Sequence, residues 1–239
     1  MASLQVQLID SLNDFLPPGR RGKAIPITFK GRQTLKHLVE SVGVPHPEIG
    51  WILVNDQPAE LNTLAIDGTQ VQVHPYPAGD KRNRPDDMRF ILDEHLGKLA
   101  SYMRILGFDT AYGADLDDAD LASIAAAENR VLLTRDRGLL KRRNVIYGYY
   151  IRSQIPRQQL SEVNQRYSLL TASHPCSRCP NCNGLLKPVQ KNDIYGALQE
   201  KTKKYYDQFW QCQSCNQIYW RGSHYKKILD LLMELMANS

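Results

Sequence analysis

Apolar and polar residues alternate along LQVQLI (residues 4–9), placing Leu4, Val6 and Leu8 on one face, as in a strand half-buried in a sheet. KAIPITF (23–29) predicts a second strand returning beside it. The period then changes. In QTLKHLVESVGV (33–44) Leu35, Leu38, Val39 and Val42 recur at spacings of three and four, which predicts an amphipathic helix stopped by Gly43. WILVNDQPAEL (51–61) reads as a strand entering a turn, and TQVQVHPY (69–76) as a last strand. Two strands, a helix and further strands over residues 1–77 predict a small β-grasp, ubiquitin-like unit. Neither His37 nor His46 belongs to a catalytic constellation there, and both are expected at the surface or in packing.

PAGDKRNRPDD (77–87) has the proline, glycine and charge content of a linker, assigned to 78–87. It continues without a Gly-Gly pair, so the first unit reads as a docking module rather than a sulfur or modifier carrier. From Met88 onward strand and helix patterns alternate, as in an α/β layer with a parallel sheet. MRFIL (88–92), FDTAY (108–112), VLLT (131–134) and NVIYGYYI (144–151) are the strands. HLGKLASYMRIL (95–106), with Leu96, Leu99, Met103 and Leu106 on one face, and DDADLASIAAAEN (117–129) are the helices. This α/β unit is assigned to 88–165, and residues 166–239 form a third, cysteine-bearing unit closed by the amphipathic HYKKILDLLMELM (224–236). The fold class is therefore multidomain, α+β followed by α/β.

Charge sharpens the division. Residues 150–239 carry twelve Lys and Arg against six Asp and Glu, whereas the first 149 residues are close to balance. A basic last third is compatible with a nucleic-acid partner and equally with a solvated basic surface. No apolar run reaches the roughly 20 residues that span a bilayer, and MASLQVQLIDSLNDF carries acids where a signal peptide carries lysine or arginine. The expected location is the cytoplasm, with no membrane partner.

Two acids stand just beyond strands: Asp93 after MRFIL and Asp136 after VLLT. In open parallel sheets, sites gather outside the carboxyl ends of the strands. Asp118, opening the intervening helix, can face the same edge. Three converging carboxylates repel one another unless a cation such as Mg²⁺ or Mn²⁺ is present, and such an ion orients water for attack on a phosphodiester. Each acid also has a duller reading: Asp93 as a helix N-cap, Asp118 as a first-turn partner of the helix dipole, Asp136 as a turn former. Around them Lys98, Arg104, Arg135, Arg137 and the KRR at 141–143 are candidates for phosphate contacts, with solvent exposure as the alternative.

All five cysteines fall in HPCSRCPNCNGLL (174–186) and QCQSCNQIYW (211–220). Clustered C-x-x-C pairs in a reducing compartment point to metal, yet tetrahedral zinc takes four thiolates. A zinc knuckle needs Gly or Asn just after its second cysteine. Cys182 and Cys215 are followed by Asn, whereas Cys179, as the end of a 176–179 pair, is followed by Pro180, which has no N–H. The ligands are therefore assigned as Cys179, Cys182, Cys212 and Cys215, with Cys176 left over and His174 and His224 as lesser substitutes. Four thiolates leave no position for water, so this zinc is structural. KTKKYYDQFWQC (201–212) interleaves lysines with aromatics, a pattern able to stack on bases or simply to pack over the ribbon.

RFILDEHLGKLASYMRILGFDTAY and DADLASIAAAENRVLLTRDR, with YWRGSH at 219–224, resemble the Mut-seven C-terminal RNase family, and GVPHPEIGWILVN (43–55) resembles the ubiquitin-like domain that precedes it in bacterial members. The resemblance implies a PIN-like nuclease domain ending in a zinc ribbon. It carries Asp93 onto the first acidic position, Asp136 onto the acid of LLTRD, and Asp118 onto the middle one, where Asp117 and Asp120 compete. Glu94 and Asp109 are left as a further ligand or a structural contact. The activity implied is metal-dependent hydrolysis of RNA, with catalytic Mg or Mn, structural zinc, RNA as partner and a protein partner for the ubiquitin-like domain. The alternative is a non-catalytic RNA- or ribosome-binding adaptor that uses the ribbon and basic tail.

Overall fold

The computed structural model describes residues 1–113 and 115–222 and the single positions 225, 230 and 234. Apart from those three positions, the closing helix expected at 224–236, with its stripe Ile228, Leu231, Leu232 and Leu235, and His224 thus lie outside the described residues. The chain divides into two compact units, one of residues 1–87 and 116–151, the other of 88–115 and 152–239. Among the described residues no helix is long and apolar enough to cross a membrane.

In the first unit, β1 (Ala2–Leu8), β2 (Ile25–Phe29), β3 (Ile49–Val54), β4 (Gln57–Ala59) and β5 (Gln70–Pro75) form a sheet of order β2-β1-β5-β3-β4. β1 pairs antiparallel with β2 and parallel with β5, the central parallel pair of a β-grasp. The expected alternation holds: Leu4, Val6 and Leu8 are buried and meet Leu35, Leu38 and Val39 of α1 (Leu35–Ser41) in one core. Thr34 caps α1 by accepting a hydrogen bond from the His37 N–H. Asn55 and Asp56, both left-handed, turn β3 into β4 as a two-residue hairpin requires. The 77–87 stretch is tied down: Asp80 caps a turn at Lys81–Asn83, and buried Asn83 donates its side-chain amide to the Pro47 carbonyl at 2.6 Å.

The same unit holds α3 (Asp118–Ala127), β8 (Val131–Thr134), α4 (Arg137–Leu140) and β9 (Gly148–Tyr150). β8 and β9 run parallel, and all four residues of β8 are buried, which explains its unbroken apolar run. A Cβ on Gly148 would meet Leu140 Cδ2 at 2.7 Å, so any larger residue there would require the Leu140 side chain of α4 to shift.

In the second unit β6 (Phe90–Asp93) pairs in parallel with β7 (Thr110–Gly113), and its four residues are likewise buried. α2 (Gly97–Ile105) packs on α5 (Pro156–Tyr167), a helix the strand-and-helix pattern did not announce. Its apolar positions, Leu160, Val163 and Tyr167, are buried, but polar residues dominate the rest and mask the period. Phe90 meets Phe108 and Tyr167 edge-on, with ring centroids 5.7 and 5.9 Å away. Beyond lie the antiparallel strands β10 (Leu186–Val189), β11 (Phe209–Cys212) and β12 (Ile218–Trp220), with α6 (Glu200–Tyr205) in the connection.

Candidate functional site

β6 ends on Asp93, which is 7% exposed and whose Oδ1 accepts the His95 N–H at 3.1 Å. β8 ends one residue before Arg135, and exposed Asp136 follows as the N-cap of α4: its Oδ1 accepts the N–H groups of Gly138 and Leu139. The Thr134 hydroxyl holds the Asp136 N–H at 2.9 Å, fixing the turn. Asp93 is thus the N-cap that its position allowed, and Asp136, read as a turn former, caps a helix as well. In Asp136 the cap uses one oxygen, and among the described residues Oδ2 takes no hydrogen bond.

At the middle position the neighbours divide the work. Asp117 is the N-cap of α3; its Oδ1 accepts the N–H groups of Asp120 and Ala119, and these hold its carboxyl below the usual range. Asp118 is the first helical residue, half-buried, and takes no hydrogen bond among the described residues. Asp118 and Asp136 belong to one unit, where α3 packs on both β8 and α4; Asp93 belongs to the other. Of the two further acids, Asp109 makes structural contacts with Arg178 at 3.1 Å and the Asn183 amide at 2.9 Å, while Glu94 is exposed.

The basic candidates separate sharply. Lys98 is exposed on α2, its ammonium 5.4 Å from the centroid of Tyr102. Arg135 is half-buried at the end of β8. Arg104 is only 8% exposed, donating Nε to the Thr110 carbonyl at 2.9 Å and Nη1 to those of Asn181 and Pro180 at 2.8 and 3.3 Å. Burial lowers its pKa, against the nearby thiols of Cys182 and Cys179, which raise it. Arg137 donates to the Phe15 carbonyl at 3.0 Å and lies over the rings of both Phe15 and Tyr150.

Arg137 is one of several fastenings between the β-grasp and the segment 137–150. Lys141 Nζ donates to the Glu40 carbonyl at 2.7 Å, and the Tyr150 N–H to Glu48 Oε1 at 2.6 Å. His46 lies between Glu40 Oε1 at 2.8 Å and the Val145 carbonyl at 2.7 Å. Sequence reasoning gave His46 no such task; a partner 99 residues away leaves no local trace.

Cys179, Cys182, Cys212 and Cys215 bring their sulfurs within 4.8 Å of one another, and Cys176 is outside the group. Tetrahedral zinc with bonds of about 2.3 Å needs sulfurs about 3.8 Å apart; Cys179 and Cys215 are 3.7 Å apart, Cys182 and Cys212 3.4 Å. The two knuckles repeat one geometry. Asn183 and Asn216 are left-handed, and their N–H groups return to the carbonyls of Cys179 and Cys212 at 2.9 and 3.0 Å. Burial opposes ionisation of Cys212, but N–H groups of Cys215 and Ser214 aimed at its sulfur hold the thiol below its ordinary range. The Tyr219 hydroxyl reaches Cys179 Sγ at 3.0 Å, a contact that the C-x-x-C spacing did not signal.

The Mut7-C RNAse domain matches residues 88–232, and the Mut7-C ubiquitin domain matches residues 1–79. No curated protein matches the chain. A solved structure, the crystal structure of H. volcanii small archaeal modifier protein 1, is similar at 13% identity over 31% of this chain and 98% of that one, with a TM-score of 0.27. A score that low supports nothing further.

Proposed function

Because the chain belongs to the Mut7-C RNase family, its RNase domain preceded by the family's ubiquitin-like domain, we propose that it is a metal-dependent ribonuclease hydrolysing RNA phosphodiester bonds. The family match over residues 88–232 carries the reading, and the acids at the carboxyl ends of β6 and β8 give it a chemical locus. Asp93, Asp118 and Asp136 are the residues assigned to hold Mg²⁺ or Mn²⁺, which would orient water and offset charge at the scissile phosphate. The oxygen chemistry of this donor set suits those ions. Asp136 is presented by a rigid cap, so its unengaged oxygen needs little reorganisation to ligate. Asp118, with no competing hydrogen bond among the described residues, is a better middle ligand than Asp117, whose oxygen is committed to the helix.

Lys98 and Arg135 keep the role of phosphate contacts. Arg104 and Arg137 do structural work, clamping the zinc knuckle and the ubiquitin-like domain. Zinc fits the four thiolates and closes the ribbon without an open coordination position. The ubiquitin-like domain acts as a docking module that is itself fastened to residues 137–150.

The test is incubation of single-stranded RNA with the protein and Mn²⁺. Wild type is expected to cleave, and Asp93→Asn and Asp136→Asn each to lose at least about 100-fold, the scale of a removed electrostatic group at a reacting phosphate. Cleavage undiminished in both variants removes these acids from the mechanism. Binding without cleavage under every metal condition favours the adaptor.

A further inference from the structure

Within the second unit a cleft of about 460 Å³ opens between α2 and the ribbon, lined by Lys98, Tyr102 and Ile105 on one side and Trp210, Trp220 and Arg221 on the other. Its volume lies in the range of ligand pockets, about 300–1,000 Å³. Among the described residues the lining contains five aromatic residues and four cations but no acid. Two of the cations are neutralised from outside: Arg178 pairs with Asp109 at 3.1 Å, and Arg157 with Glu234 at 3.6 Å. The other two, Lys98 and Arg221, have no carboxylate partner among the described residues and lie against rings instead. Lys98 is 5.4 Å from the Tyr102 centroid, and the Arg221 guanidinium 5.3 Å from that of Trp210 and 5.6 Å from that of Tyr225.

Unpaired cations beside flat apolar faces suit a ligand that is both anionic and aromatic. A single-stranded nucleotide is such a ligand: its base stacks on indole, phenol or guanidinium planes while its phosphate meets ammonium or guanidinium. A duplex keeps its bases stacked inward, and an acidic peptide offers charge without a face to stack. We infer that this cleft binds one unpaired nucleotide of single-stranded RNA, its base against Trp220, Trp210 or the Arg221 plane and its phosphate on Lys98. The inference rests on the ribonuclease reading for the identity of the nucleic acid, and it adds a binding subsite built jointly by the nuclease helix and the zinc ribbon.

The full chain is titrated into a fluorescein-labelled 12-nucleotide single-stranded RNA without added Mg²⁺ or Mn²⁺, and anisotropy is followed across salt concentrations. Trp220→Ala is expected to raise Kd by about 5- to 150-fold, the loss of one stacked base. Lys98→Ala is expected to raise Kd and to flatten the log–log salt slope by about 0.7, one phosphate on a single strand. Trp220 is 36% exposed and Lys98 is on the surface, so unchanged circular dichroism and melting temperature identify folded variants. Arg221→Glu, also exposed, is the replacement should Trp220→Ala unfold. Kd within twofold of wild type in the folded variants overturns the inference, as does equal competition by polyglutamate or by duplex of the same sequence. Cleavage in Mn²⁺ separates the two readings: wild type that binds with these sensitivities but never cuts sinks the nuclease and keeps the cleft. Wild type that cuts, with variants that bind and cut alike, does the reverse.

Discussion

Replacing Arg104 by alanine separates a structural arginine from a phosphate-binding one. The guanidinium is 8% exposed and spends Nε on the Thr110 carbonyl and Nη1 on those of Asn181 and Pro180, joining α2 and β7 to the first cysteine knuckle. Hydrogen bonds from charged donors contribute about 1.5–3 kcal/mol each. The three share one planar group and are not additive, so the expected destabilisation is about 3–5 kcal/mol. For a unit of this size that is a fall on the order of 10 °C in Tm, read by thermal unfolding. Arg104→Lys keeps the charge but not the fork, and is expected to recover less than half of the loss. The salt slope of RNA binding is expected to stay at its wild-type value. Stability within about 1 kcal/mol of wild type, together with a salt slope flattened by about 0.7, would refute the reasoning and return Arg104 to the phosphate.

A Cβ at Gly107, where φ is +95°, would lie 2.1 Å from the His174 carbonyl oxygen; Gly107→Ala should cost at least about 3 kcal/mol by denaturant titration. Gly68→Ala, at φ +73° with nothing within 4 Å, should cost only about 1–2 kcal/mol for the backbone conformation. Zinc analysis should show stoichiometry kept in Cys176→Ser and lost in Cys182→Ser; loss in Cys176→Ser with zinc kept in Cys179→Ser reverses the assignment. Burial raises the Glu40 pKa, but the hydrogen bond and charge of His46, with Lys36 and Lys141, more than offset it and leave it lowered from 4.5. A depressed folded-state pKa means stability fully present above pH 4.5 and lost as pH falls through the lower folded value. Acid unfolding of wild type should therefore exceed that of Glu40→Gln in this window, and identical profiles would exclude Glu40 as a contributor.

What the sequence determined by itself is local or periodic. Alternation in LQVQLI and the three–four spacing in QTLKHLVESVGV specify β1 and α1, because a strand or helix that buries one face must repeat its apolar residues at its own period. Asn after Cys182 and Cys215 announced the left-handed turns of both knuckles, a constraint that acts within a few bonds. Only tertiary structure decided what each arginine does. Arg104 and Arg137 carry the same charge, and each lies within a dozen residues of an acid assigned to the site, Asp93 for one and Asp136 for the other. One lies buried among the carbonyls of a knuckle more than 70 residues away, the other between two rings, its backbone acceptor 122 residues distant. A cation takes whichever acceptor or aromatic face the fold brings within a few ångströms, and no spacing along the chain encodes that choice.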